Sequence, residues 1–261
     1  MTQKKFKELV WSFYKKEGRD LPWRNTSNPY RIWVSEVMLQ QTQVARVLPK
    51  YKAFLKKFKT IKDLASAPLS EVLLYWQGLG YNRRAKLLHT GAKYIIKEHK
   101  GVFPKENIES IPGIGAYTEG AIQAFAFNVP VACIETNIRT VYTHHFFKDG
   151  SGISDKEILP LIKKTLDKEN PREWYWALMD YGAYLKSSGV QINKKSKHYT
   201  KQSTFKGSDR EVRGAIIRTL TQKKSIQTVF PERKEQVQKQ IKNLLAEGFI
   251  QKKGGGYVLA A

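Results

Sequence analysis

Apolar residues recur at helical spacing through almost all of the first 190 positions, and strand-like alternation is scarce there. Segments with that period must bury their apolar stripes against one another, which makes this portion all-α. Asn28-Pro29 reads as a cap followed by proline at the first helical position, and Tyr30, Trp33, Val34, Val37 and Met38 continue the helical repeat. Leu64, Leu69, Val72, Leu73 and Trp76 mark further helices, ended by Gly78-Leu79-Gly80. Ile108 to Phe127 reads as helix, tight turn, helix, with Pro112-Gly113-Ile114-Gly115 as the turn, and Trp174 to Leu185 as another apolar helix.

The pattern changes after residue 187. Residues 187–208 are polar and lysine-rich, and the reading places a helical domain at 1–190, a linker at 191–208 and a separate module at 209–261. In the last segment Val212, Ile216, Ile217 and Leu220 form one helical stripe, and Val237, Ile241, Leu244 and Leu245 form a second. Phe249-Ile250, a turn through Lys252-Lys253-Gly254-Gly255-Gly256, and Tyr257-Val258-Leu259 read as a short hairpin. Helix, helix, hairpin is the outline of a small winged-helix-like module with a reduced middle helix.

The 261 residues carry 46 lysines and arginines against 23 aspartates and glutamates, a formal charge of +23. A surplus of that size points to a polyanion, with nucleic acid ahead of a membrane surface because no basic amphipathic stretch has its own apolar anchor. No acidic residue separates Asp180 from Asp209, while Lys186, Lys194, Lys195, Lys197, Lys201 and Lys206 lie between them. Lys194, Lys195 and Lys197 are therefore candidate phosphate contacts. At 41% hydrophobic and 12% aromatic, the chain can offset its conformational entropy and fold. No apolar run approaches the roughly 18 residues that span a bilayer, and the first residues lack the apolar core of a signal peptide. The single cysteine, Cys133, excludes a disulfide scaffold or a four-cysteine metal site within one chain. The expectation is an intracellular, cytoplasmic, nucleoid-associated monomer with no metal or other cofactor.

Two carboxylates sit where apolar neighbours can perturb them. Glu36 lies among Trp33, Val37 and Met38, where desolvation favours the protonated form and suits a general acid. Glu135 follows the apolar approach Val131-Ala132-Cys133-Ile134. A pair of carboxylates is the general equipment for breaking a glycosidic bond: one protonates the leaving group, the other stabilises the cationic centre or activates water. The glycines of Pro112-Gly113-Ile114-Gly115 permit a tight turn whose amides, at the start of the next helix, can hold a phosphate oxygen. His144 and His145, with no further ligand spacing, read as ordinary helix residues.

The run LPWRNTSNPYRIWVSEVMLQQTQV at 21–44 resembles the adenine-specific mismatch branch of the helix-hairpin-helix DNA glycosylases. GLGYNRRAKLLH at 78–89, IPGIGAYTEGAI at 111–122 and ALMDYGA at 177–183 continue the resemblance in order. It implies two interlocked helical subdomains and removal of a mispaired base, flipped out of double-stranded DNA, in base excision repair. By resemblance Glu36 is the acid, Trp23, Arg24 and Leu39 border the base pocket, and Gln41 and Tyr81 fill the gap left by the extruded base. Pro112, Gly113, Ile114 and Gly115 grip the DNA backbone.

Four departures qualify that resemblance. Glu135 replaces the family's aspartate. The four cysteines of the family's iron–sulfur cluster fall on Lys186, Asn193, Ser196 and Gln202, so no cluster forms and lysines are expected to take over its attraction for DNA. Trp176 stands where a polar adenine reader is expected. The winged-helix-like segment is expected to stand in place of the family's 8-oxoguanine-reading domain. Tyr117 occupies the place of the lysine nucleophile of strand-cleaving relatives, which implies hydrolysis without lyase activity. The expected reaction is excision of adenine opposite guanine or 8-oxoguanine. Excision of thymine or uracil opposite guanine is the alternative, and a DNA-binding protein without catalysis a further one.

Overall fold

The computed structural model describes residues 1–147, 150–189, 195–200 and 204–260. Among these residues the regular structure is almost wholly helical, with one two-stranded sheet near the C-terminal end. The helices run α1 (Gln3–Glu17), α2 (Pro29–Leu39), α3 (Val44–Lys57), α4 (Ile61–Ser66), α5 (Leu69–Trp76), α6 (Arg83–His99), α7 (Ala116–Phe127), α8 (Thr136–Phe146), α9 (Asp155–Thr165), α10 (Pro171–Ser187), α11 (Asp209–Thr221) and α12 (Lys234–Ala246). They fall into two units: Met1–Trp33 with Lys105–Glu109 and Ile114–Lys201, and Val34–Pro104 with Ser110–Gly113 and Gln202–Ala261.

The first unit is built on α10. Its Trp174, Tyr175, Ala177 and Leu178 are fully buried, and α1, α7 and α8 pack around it. Phe6 of α1 lies edge-on to Trp174 and tilted against Tyr142 of α8, with ring centroids 6.1 and 5.2 Å away. Gly182 lets α10 approach the first turn of α8: an added Cβ would overlap the Asn137 carbonyl and come within 2.8 Å of its Cβ. Part of the lysine-rich segment is tied down here. The Ile153 amide donates to the Lys195 carbonyl, and the Lys197 amide donates back to Ile153, at 3.0 and 2.9 Å.

In the second unit α6 packs on α4 and α5. The 209–261 segment belongs to this same unit rather than forming one of its own. Gln77, just after α5, donates to Thr221 Oγ1 at 2.6 Å, and Lys86 on α6 donates to the Glu247 and Gly248 carbonyls. The segment has the expected order: α11, two 3-10 turns at Ile226–Thr228 and Pro231–Arg233, α12, then β1 (Ile250–Lys253) and β2 (Gly256–Leu259). Lys252 and Lys253 pair with Tyr257 and Gly256, so the turn is Gly254-Gly255 alone and shorter than expected. A two-residue connection matches the twist of the paired strands.

One helix expected from the sequence is not there. Before the Pro112 turn the chain makes a single 3-10 turn, Ile108–Ser110, instead of an α-helix. Asn107 has φ +54°, and a residue preceding proline is steered away from helical geometry, so the segment is blocked at both ends.

Candidate active site

Asn28 starts α2 as expected: its side-chain oxygen accepts the Arg31 amide at 3.2 Å. Seven consecutive residues, Ile32 to Met38, are buried, and Glu36 among them is 6% exposed. Leu39 ends the helix half-buried. Gln41 follows with φ +53°, and Tyr81, on a second loop, has φ +46°. Two non-glycine residues in left-handed backbone are worth notice, because such geometry persists only where the surroundings enforce it.

The enforcing group is Arg84, which the sequence reading did not single out. It is 9% exposed on α6. Its guanidinium donates to the Val37, Met38 and Gln40 carbonyls on one side and to the Leu79 and Gly80 carbonyls on the other, at 2.6–3.2 Å. It also donates to Thr42 Oγ1 at 3.2 Å. Gln41 and Tyr81 thus each follow a carbonyl held by one side chain. Val37 and Met38 lie in the last turn of α2, whose carbonyls lack intrahelical partners, so Arg84 also caps that helix. Burial pushes its pKa down to about 10, so it stays charged at neutral pH. Arg210 of α11 also donates to the Tyr81 hydroxyl at 2.6 Å.

Pro112 and Gly113 belong to the second unit, Ile114 and Gly115 to the first. Gly113 has φ +88°, and a Cβ there would meet Leu87 Cβ at 2.7 Å, so both conformation and space demand glycine. Ile114 is buried, and Gly115 is the N-cap of α7 with no side-chain cap on the first amides. Tyr117 follows in the first turn, half-buried.

In the first unit Arg24 and Trp176 come together, with the guanidinium 5.5 Å from the indole centroid. Trp176 is 9% exposed and also lies beside Phe125, at 6.2 Å. Trp23 is buried. Arg24 is clamped by Asp180, a residue of the ALMDYGA run that the sequence reading left without a role. Arg24 donates two bonds of 2.7 Å to the Asp180 carboxylate, which also accepts the Arg19 amide and Nε at 2.9 and 2.8 Å. Burial pushes the Asp180 carboxyl up, but the Arg24 and Arg19 donors outweigh it and hold it below the usual range.

Glu135 is the N-cap of α8. Its Oε1 accepts the Asn137 and Ile138 amides at 2.7 and 2.8 Å, and its Oε2 accepts Asn137 Nδ2 at 3.3 Å. A carboxylate there is favoured by the helix dipole and reaches back because of its extra methylene. Glu135 belongs to the first unit and Glu36 to the second.

The residues at the cluster positions do not fit an iron–sulfur cluster. Lys186 brings an ammonium, and its Nζ donates to Asn137 Oδ1 at 2.6 Å. Ser196 forms a parallel bridge with Ile153. Asn193 and Gln202 lie outside the described residues, as does Lys194. Lys195 is half-buried and Lys197 exposed. His145 donates to or accepts from the Tyr181 hydroxyl at 3.0 Å, and no group of three potential metal ligands occurs among the described residues. No helix among them is long and apolar enough to cross a membrane.

The HhH-GPD superfamily of base excision DNA repair proteins matches this chain over residues 34–168. An adenine DNA glycosylase of Buchnera aphidicola subsp. Baizongia pistaciae is 38% identical over 192 residues, covering 71% of this chain and 54% of the relative. One from Mycolicibacterium smegmatis is 30% identical, covering 94% of this chain and 92% of the relative. The chain therefore spans about half the length of the first relative and nearly all of the second. Among solved structures, a thermostable thymine-DNA glycosylase superposes with a TM-score of 0.63 at 26% identity, covering 74% of this chain and 94% of that one. With the superfamily signature across half its residues and a full-length match to an adenine DNA glycosylase, the chain belongs to the HhH-GPD base excision repair superfamily and to its adenine DNA glycosylase branch.

Proposed function

We propose that this protein is a monofunctional DNA glycosylase that removes adenine mispaired with guanine or 8-oxoguanine. The observation that carries the reading is Glu36, a carboxyl 6% exposed within seven consecutive buried residues of α2. Glu36 supplies a proton to a purine ring nitrogen as the bond from C1′ to the base breaks. The electron pair leaves with the base, and Glu135 stabilises the positive charge that develops on the sugar. Water then adds to C1′ and gives up a proton, leaving free adenine and an abasic site. Tyr117 offers a phenol where strand-cleaving relatives have an amine, so no Schiff base forms and the strand stays intact.

Gln41 and Tyr81 fill the gap left by the flipped base, on loops held by Arg84. The turn at Pro112–Gly115 with the first amides of α7, Lys194, Lys195, Lys197 and the 209–261 segment contact phosphates. The protein acts as a monomer in the cytoplasm, on nucleoid DNA. Incubation with a panel of mismatched duplexes, followed by quantification of released bases, tests this reading: adenine release from pairs with guanine or 8-oxoguanine supports it, and release of pyrimidines alone refutes it.

A second reading, thymine or uracil excision opposite guanine, is favoured by one residue. An indole has one N–H and no acceptor, so Trp176 cannot match the donor–acceptor pair on the adenine edge. The likeness to a thymine-DNA glycosylase structure supports the same alternative. The duplex panel separates the two.

A further inference from the structure

Lys186 sits in the last turn of α10, and its position follows from Gly182 one turn earlier, which lets α10 close on the start of α8. Its Nζ donates to Asn137 Oδ1 at 2.6 Å. An ammonium has donors only. The amide oxygen of Asn137 must therefore face Lys186, which leaves Nδ2 to face Glu135, where it donates to Oε2 at 3.3 Å. Without the lysine the two ends of the amide can exchange, and an amide oxygen turned towards a carboxylate repels it.

Other charges on these helices have partners of their own. On α8, Arg139 forms a two-bond fork with Asp155 of α9 at 2.7 and 2.8 Å, and His198 lies 3.7 Å from the same carboxylate. On α10, Asp180 is held by Arg19 and Arg24. Burial lowers the Lys186 pKa, the Glu135 charge opposes that, and Arg139 adds to it. Lys186 and Glu135 are thus electrostatic partners, joined through Asn137.

We propose that Lys186 is a positioning residue for Glu135, acting by fixing the Asn137 amide so that the Glu135 carboxylate keeps its orientation. The inference rests on the role given to Glu135 above.

Single-turnover base release from the mismatched duplex the enzyme acts on tests it in the full chain. Lys186→Met is expected to lower the rate at neutral pH roughly tenfold, the scale of a lost bond to a charged group. Lys186→Arg, also donor-only, recovers most of the rate. In a Glu135→Gln background, Lys186→Met adds little, since the two act as one unit. A wild-type rate in Lys186→Met, a rate in Lys186→Arg no better than in Lys186→Met, or a full further loss in the Glu135→Gln background overturns the proposal. A wild-type rate in Glu135→Gln instead overturns the underlying role of Glu135, so the two failures are distinguishable.

Discussion

Replacing Arg84 by methionine keeps the apolar stem and removes the guanidinium that ties the end of α2 to the loop before Tyr81. Three of its acceptors, the Val37, Met38 and Leu79 carbonyls, are bonded to it in buried surroundings. A buried acceptor left without a donor costs about 1–3 kcal/mol, so the three together cost at least about 3 kcal/mol. Water can reach the Gln40, Gly80 and Thr42 acceptors, whose bonds to Arg84 are only part-buried, and these add little. Methionine also spares the burial of a charge, which offsets part of the loss. The expected net is about 2–4 kcal/mol, read as a urea midpoint lower by about 1–2 M. Arg84→Lys recovers part of it, because one ammonium cannot span both sides. Affinity for a mismatched duplex should fall in parallel, since the backbone that presents Gln41 and Tyr81 loses its anchor. A methionine variant within about 0.3 M of the wild-type midpoint, with unchanged mismatch affinity, refutes this reasoning.

Other expectations follow from the first unit. Asp180→Asn should destabilise the protein at neutral pH; because the folded carboxyl titrates below its unfolded value of about 3.9, the gap between variant and wild type closes as pH falls below that value, measurable by urea titration at several pH values. Borohydride should trap no covalent protein–DNA adduct, and the product strand should break only after hot alkali; a trapped adduct contradicts the role of Tyr117. Trp176→Gln should shift base preference towards adenine in a competition between adenine- and thymine-containing mismatches, and an unchanged ratio removes Trp176 from the pocket.

The helical part of this architecture was legible because periodicity and caps act locally. Asn28-Pro29 and the apolar repeat after it locate α2 within a residue, and the repeats at 212–220 and 237–245 locate α11 and α12. The 3-10 turn at Ile108–Ser110 was not legible, since its apolar residues suit a helix and only the backbone of Asn107 and the proline at 112 forbid one. The polar anchors were hidden for a different reason. Arg84, Asp180 and Lys186 are charged residues in helices, and one-dimensional spacing gives no sign that a charge has turned inward to meet partners distant in sequence. The family resemblance pointed to Glu36, Tyr81 and Glu135 but not to the side chains that hold their loops and caps. The same limit applies to 209–261: its helix–helix–hairpin order was readable, whereas its attachment through Gln77, Lys86 and Arg210 depends on contacts more than 120 positions apart.

The central claim is that Glu36 protonates the departing base, and it is tested most directly by comparing wild type with Glu36→Gln on a duplex containing adenine opposite 8-oxoguanine. Single-turnover base release and duplex affinity are measured on the same preparations. General acid catalysis contributes about 10²–10⁴ in rate, so release should fall by at least about a hundredfold while the dissociation constant changes little. Adenine release by the glutamine variant at the wild-type rate contradicts the claim.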